Sequence, residues 1–394
     1  MKKASIGRLY LMYGLFSIFC NLAHPITPTM FIEKGFADYL FGVSYAAMSF
    51  SYFAGSLVFG SIGDSIGRVK TMAFVMPVYA LSQFVFGVTD SAAMTVIARL
   101  VAGFFSAGVF VCSLAYLVDL TTDEDRGVHM SYYVACNSVG AAFGYFLGGI
   151  IGNISILAVI TLQTVTIIIC GILTNMLLEE TSMETSKFSL NMSINPFKSY
   201  NNIAGKMPKI LKTFLFAVFL TSLATTAYDN AFNYYLKDAL GLGSSYNGII
   251  KAVIGIITLV VNFTINIYIV RHTETRKSLI VVLLLCGISA IAVPFISGMY
   301  PFFAGNIAFF MFNAIYLPIQ QDIVTNGQSS RTSGLISGIF NAVRAIGMIF
   351  GSLFSGFIYE WGNKLPFIAS SVVFFISVGI SVVNLKQHKS KTAE

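Results

Sequence analysis

The sequence predicts an all-α membrane protein of twelve transmembrane helices, and three observations carry that prediction: composition, unbroken apolar runs and the placement of charge. Of 394 residues, 56% are hydrophobic and 10% are charged. A soluble domain carries roughly 25% charged residues, so this composition cannot cover a water-exposed surface and most of it has to face lipid. A span needs about 20 apolar residues, and twelve spans use roughly two-thirds of the chain. Runs such as Leu279–Cys286 do not alternate apolar and polar residues, which excludes a transmembrane barrel. With twelve spans assigned, 18 of the 24 Lys and Arg fall in the termini and even-numbered turns, against Lys34, Lys237 and Lys364 on the other side. By the positive-inside rule this asymmetry puts both termini in the cytoplasm of a multi-pass protein of the cell membrane.

The first apolar stretch begins near Leu9 and runs past Cys20. Lys2, Lys3 and Arg8 precede it as they would a signal peptide. No small-residue cleavage site follows, and the stretch continues into Asn21–Pro28, so it reads as a retained span 1 over 8–31. Spans 2 to 6 follow at 41–62, 71–89, 92–117, 129–151 and 155–178, and spans 7 to 12 at 211–236, 246–270, 278–298, 301–325, 333–358 and 365–385. The long polar segment Glu179–Lys209, rich in Ser, Asn, Lys and Glu, reads as a cytoplasmic linker. It divides the chain into an N-terminal bundle (1–178), a linker (179–210) and a C-terminal bundle (211–394), each bundle with six helices.

The bundles carry a weak internal repeat. Gly60 and Asp64 recur as Asn262 and Asn266, shifted by 202; Asp119 recurs as Asp322, shifted by 203. Arg126 recurs as Arg331, shifted by 205, and Gly140 and Gly144 recur as Gly347 and Gly351, shifted by 207. One slowly drifting offset is what duplicated six-helix halves predict. The net charge of +7 follows membrane topology and does not point to nucleic acid. The five cysteines sit inside apolar spans with no metal-ligand or redox spacing. There is no Gly-x-x-x-x-Gly-Lys-(Ser/Thr) loop, and no catalytic triad or cofactor site is visible. The chain reads as a non-enzymatic monomer that takes its energy from a gradient.

Between spans 2 and 3 the segment Gly60–Lys70 reads GSIGDSIGRVK, with Gly60, Asp64, Gly67, Arg68 and Lys70 in an expected short polar turn. This spacing resembles the loop after the second helix of the major facilitator superfamily of secondary transporters, although Ser65 and Val69 stand where that family has basic residues. The resemblance implies two pseudo-symmetric six-helix bundles, with this turn forming a cytoplasmic gate together with Asp119 and Arg126. Asp119 is expected to pair with Arg68 or Arg126. Span 4 reads RLVAGFFSAG from Arg99, similar to a family motif whose Arg is linked to proton coupling; the other reading is an Arg bonded to a neighbouring helix's carbonyls. Span 5 carries Gly140, Gly144 and Gly148 near one face, where a second helix can approach closely. That pattern resembles the glycine motif of the exporter branches, with Tyr145 in place of the family's Pro, and it also reads as a plain packing seam.

Several ionisable residues fall at membrane depth. Asp229 in span 7 is an acid whose burial costs roughly 2.5–3.5 kcal/mol at a helix centre, so it is expected to face the bundle interior. Its placement resembles the embedded acid of Gram-positive multidrug efflux pumps. A carboxyl whose surroundings change between two states binds and releases a proton, which is the requirement for proton coupling. Lys251 in span 8 is either its partner or a snorkelling Lys. Arg344 in span 11 either neutralises Asp229 or contacts an anionic group of the substrate. His24, beside Asn21, Pro25 and Pro28, either carries protons or is a hydrogen-bonded interior residue, and the two prolines break span 1. Asn21, Asn137, Asn233, Tyr234, Asn313 and Asn341, together with Asp229, Arg344 and Lys251, are the candidate substrate contacts. The expected function is proton-coupled export of small amphipathic compounds by alternating access, with a small-molecule substrate and the lipid bilayer as partners. The alternative is transport of a specific anionic or zwitterionic metabolite anchored by Arg344, in either direction.

Overall fold

The computed structural model describes residues 2–122, 125–181, 207–325 and 330–393, so most of the expected linker lies outside the described residues. Span 1 is two helices, Lys2–Cys20 and Thr27–Glu33. Spans 2 to 6 are Asp38–Ile66, Arg68–Val88, Ala92–Leu120, Arg126–Gly152 and Ile156–Leu177. Spans 7, 9, 10, 11 and 12 are built on Lys209–Asp238, Thr275–Ala292, Met299–Thr325, Ser330–Trp361 and Leu365–Ala393. Span 8 runs from Ser244 to His272, with a π-helical insert at Asn262–Asn266. Eleven of these segments are long and apolar enough to cross a membrane, and the apolar part of the first helix, Ile6–Cys20, is shorter. Most helices run several residues past the expected apolar limits. Leaving the hydrocarbon does not end a helix, because its backbone bonds remain satisfied internally in the polar headgroup layer.

The junction of spans 2 and 3 differs from the expected polar turn. The helix continues through Gly60, Gly63 and Asp64 to Ile66, the next begins at Arg68, and Gly67 alone joins them. Gly67 has φ 114° and ψ 143°, a region essentially closed to residues with a Cβ. One glycine therefore does the work expected of a longer loop.

The chain divides into two compact units. The first comprises Met1–Ala37, Ala47–Lys198 and Leu236–Gly255, and the second Asp38–Ala46, Ser199–Tyr235 and Ile256–Glu394. In the first, the glycine face of span 5 lies on span 1. A Cβ on Gly140 would come within 2.7 Å of Ser17 Cβ, on Gly144 within 2.2 Å of the Ile18 carbonyl, and on Gly148 within 2.0 Å of the Leu22 carbonyl. In the second unit the repeat-related glycines make the same approach. Gly347 and Gly351 of span 11 press on the Phe219 and Leu223 carbonyls of span 7, where a Cβ would sit at 2.6 and 2.4 Å.

The break in span 1 frees carbonyls that other helices of the same unit satisfy, as burial demands. The Cys20 carbonyl accepts from Gln163 Nε2 at 3.1 Å and from the Tyr79 hydroxyl at 3.4 Å. Asn247 Nδ2 reaches the Pro25 carbonyl at 3.5 Å, and the Thr27 hydroxyl donates back to the Ala23 carbonyl at 2.7 Å.

Candidate functional site: a chamber, a half-buried acid and a charged latch

The first unit forms a half-open chamber of about 210 Å³ at the span 1 break. Asn21, His24 and Asn137 from the sequence-derived set line it, with Tyr52, Tyr79 and Ser106 beside them. Asn21 Nδ2 donates to the Ser17 carbonyl at 2.7 Å, and Asn137 Oδ1 accepts from the Ser17 hydroxyl at 3.3 Å. His24 stacks on Tyr145 with ring centroids 5.5 Å apart. Tyr145 thus puts a ring against the span 1 break where the family motif has Pro.

Arg99 does not line the chamber. It is 1% exposed, with its guanidinium 3.6 Å over the Phe86 ring and Nη1 3.4 Å from Gln83 Oε1. Gln83 Nε2 in turn donates to the Tyr79 hydroxyl at 3.0 Å. Arg99 Nη1 also donates to Met48 Sδ at 3.3 Å, and Met48 lines the chamber, so the guanidinium lies directly behind the chamber wall. Lys251 is half-buried in the same unit.

In the second unit Asp229 is half-buried, and Asn233, one turn on, donates Nδ2 to its Oδ2 at 3.3 Å. Tyr234 is buried and donates its hydroxyl to Asp38 at 2.7 Å, so its polar end is committed to span 2. Asn313 belongs to a polar ladder between spans 7 and 10. Its Nδ2 donates to Thr225 Oγ1 at 2.8 Å, and Thr225 bonds the Tyr316 hydroxyl at 2.8 Å. Gln320 donates to Thr221 at 3.0 Å, and Tyr228 to Asn306 at 2.8 Å. Arg344 is half-buried, lies 5.8 Å from the Phe340 ring centroid and makes no ion pair among the described residues; Asn341 is exposed.

At the junction of spans 2 and 3, Arg68 binds Asp119 at 2.8 Å and Asp64 at 3.2 Å. The carboxylate of Asp119 also accepts from the Thr181 hydroxyl at 2.9 Å, so Arg68 takes it and Arg126 does not. Glu180 accepts from the backbone N–H of Val69 at 3.0 Å and of Lys70 at 3.2 Å. The Tyr116 hydroxyl donates to the Glu179 carbonyl at 2.8 Å. The chain after span 6 is thereby fastened across spans 3 and 4. Lys70 is exposed, and Arg126 is half-buried at the start of span 5.

A family model described as Major Facilitator Superfamily matches residues 9–348 and 214–394. The chain belongs to the major facilitator superfamily. Multidrug resistance protein 2 of Bacillus subtilis (strain 168) is 20% identical over 387 residues, covering 98% of this chain and 96% of the relative. Among solved structures, a bacterial homologue of the human lysosomal transporter Spinster, inward-facing and unoccupied, has a TM-score of 0.81 at 12% identity, covering 97% of this chain and 96% of its own. The human organic anion transporter MFSD10 (TETRAN) has a TM-score of 0.69 at 16% identity, covering 96% and 99%. These two likenesses concern the fold.

A facilitator moves small molecules through the membrane and is not an enzyme. Sequence reasoning missed the residues that shape this one's interior: Gln83, Gln163, Tyr79 and Asn247 at the span 1 break, and Glu180 in the latch. Gln83 and Gln163 did carry a signal, since an uncharged amide inside an apolar span needs a polar partner. Glu180 carried none, because its partners are backbone groups more than a hundred residues away.

Proposed function

We propose that this facilitator couples inward proton movement to the export of small amphipathic compounds, as a monomer of the cell membrane with both termini in the cytoplasm. The observation that carries the reading is Asp229: a half-buried carboxylate in span 7, held by the Asn233 amide at 3.3 Å. Full-length similarity to a Bacillus multidrug resistance protein supports it. Alternating access by rocking of the two bundles changes the water access of this carboxyl, and with it the balance between desolvation and hydrogen bonding that sets its proton affinity. Each pH unit across the membrane supplies about 1.4 kcal/mol per proton, and each 100 mV about 2.3 kcal/mol per charge moved. The test is efflux of ethidium from proteoliposomes under an imposed pH gradient. Asp229→Asn is expected to abolish gradient-driven efflux while the protein stays folded; exchange at the wild-type rate would remove Asp229 from the mechanism.

A second reading has its own support. Arg344 Nε is buried without a hydrogen-bond partner among the described residues, and a buried charged donor left unmatched is costly. An anionic group of a carboxylated or zwitterionic substrate would satisfy it. Substrate profiling of Arg344→Ala separates the two readings: loss of all transport favours the anchor, and a retained profile for lipophilic cations favours efflux.

A further inference from the structure

The chamber in the first unit presents a specific arrangement of polar ends. Asn21 spends its amide N–H on the Ser17 carbonyl (2.7 Å) and on Cys20 Sγ (3.3 Å). Asn137 spends its carbonyl on the Ser17 hydroxyl (3.3 Å). The remaining ends, the acceptor Asn21 Oδ1 and the donor Asn137 Nδ2, have no protein partner among the described residues and are not sealed from solvent. Both side chains line the chamber. Ser17 ties down both amides, so the chamber wall carries one open acceptor and one open donor held by the same residue.

Aromatic rings make up much of the rest of the wall, beside Cys20, Met48, Ser106 and Ala141. Phe110 packs against Phe16 at 5.8 Å and against Tyr52 at 5.9 Å between ring centroids, and all three line the chamber. No Asp, Glu, Lys or Arg is among the lining residues, so an ionic group placed here finds no carboxylate, ammonium or guanidinium in the wall itself to pair with. The volume of about 210 Å³ lies below the roughly 300–1,000 Å³ of sites that take a whole drug-sized ligand. It suits one fused ring system, with the remainder of the compound outside.

We propose that this chamber is the subsite for an uncharged heteroaromatic ring with a hydrogen-bond donor beside an acceptor, the pattern of a cyclic amide or an amino-substituted nitrogen heterocycle. The ring lies on Tyr52, Phe16 and Phe110 and turns its donor to Asn21 and its acceptor to Asn137. The assignment rests on the reading of the chain as an exporter of small compounds, and it names the part of such a compound that the first unit recognises.

The test uses purified full-length protein in nanodiscs and three probes followed by ligand-observed NMR: isoquinolinone, its N-methyl derivative and caprolactam. Isoquinolinone is expected to bind in the millimolar range or tighter. N-methylation, which removes the donor, and caprolactam, which removes the aromatic ring, should each weaken binding about tenfold, the effect of one lost hydrogen bond or stacking face. Asn137→Ala should weaken isoquinolinone about tenfold, and Tyr52→Ala should narrow its advantage over caprolactam. Absence of isoquinolinone binding, equal binding of all three probes, or an unchanged affinity in Asn137→Ala would overturn the proposal. The probe comparison on wild-type protein stands even where a variant fails to fold. Gradient-driven ethidium efflux without lactam discrimination sinks the subsite alone. Lactam discrimination without any efflux sinks the export reading and leaves the subsite's recognition chemistry in place.

Discussion

Replacing Gly67 by Ala tests the junction that joins spans 2 and 3. At φ 114° and ψ 143° the backbone lies outside even the left-handed helical region, so any side chain there is strained by about 1–3 kcal/mol. The added Cβ would also sit 2.6 Å from Glu180 Cδ and Oε2, well inside van der Waals contact. Glu180 has to withdraw, and its bonds to the Val69 and Lys70 N–H groups go with it. Losing a cap of this kind costs about 1 kcal/mol, and a charged acceptor at a helix N-terminus adds up to about 1 kcal/mol more. Gly67→Ala is therefore expected to destabilise the protein by about 2–5 kcal/mol in total. Equilibrium unfolding in mixed micelles with rising dodecyl sulfate reads this directly. Glu180→Ala alone should cost about 1–2 kcal/mol, and the double variant should cost less than the sum, because truncating Glu180 removes the clash. A coupling of about 1 kcal/mol is the expected sign of the contact. Gly67→Asn should do no better than Ala, since Asn tolerates left-handed helical geometry and ψ here is extended. A Gly67→Ala protein within about 0.5 kcal/mol of wild type, or strict additivity in the double variant, would refute the argument.

Two further outcomes follow from groups at the membrane surface. Lys34 Nζ donates to the Gly87 carbonyl at 2.9 Å and the Thr89 carbonyl at 2.6 Å at the end of span 3. Lys34→Met, which keeps the stem and removes these bonds, should cost about 1–2 kcal/mol by the same unfolding assay, whereas Asp90→Ala, 3.4 Å away and 86% exposed, should cost little. Asp125 accepts from the Thr122 N–H and hydroxyl, which holds its carboxyl below the usual carboxylate range. The folded form thus holds its proton less tightly than the unfolded one, so the stabilisation is full above the ordinary carboxylate pKa and is lost as pH falls through the lowered value. Amide exchange at Thr122 should accelerate only in that acidic window, and Asp125→Asn should remove most of this pH dependence.

Much of this fold was legible because bilayer physics is simple. Span number and the internal repeat follow from apolar length, charge placement and a drifting offset. The Gly140 and Gly144 pair and its counterpart at Gly347 and Gly351 occupy equivalent seams in the two units. The polar contacts were harder to read. Asn313 of span 10 is a candidate substrate contact by sequence, yet its side chain bonds span 7, as do those of Asn306 and Gln320. Helical periodicity identifies a polar face, but it cannot tell a partner helix from a water-filled space. The extent of the Gly60–Lys70 turn was misjudged for a related reason: polar residues signal the end of the hydrocarbon layer, and the helix ends only where the backbone is turned, at Gly67.

The span 1 break links the structural and functional readings. Interrupting a helix at membrane depth exposes carbonyls that hydrocarbon cannot satisfy. Here the Cys20 carbonyl is taken by Gln163 and Tyr79, and the Pro25 carbonyl by Asn247. Asn21 Nδ2 takes the Ser17 carbonyl and Cys20 Sγ, and Asn137 Oδ1 the Ser17 hydroxyl. The residues that cap the Cys20 and Pro25 carbonyls come from other helices, so Asn21 Oδ1 and Asn137 Nδ2 keep their open valences beside a break whose carbonyls are already hydrogen-bonded. Preorganisation of this kind lowers the ordering cost of binding. It also makes Gln163 a residue with no ligand contact whose loss should alter recognition. Gln163→Leu leaves the Cys20 carbonyl with the longer Tyr79 bond alone and loosens the break, so the preference for isoquinolinone over its N-methyl form should shrink. If that preference stays intact, the break is rigid for some other reason and the capping network has no part in recognition.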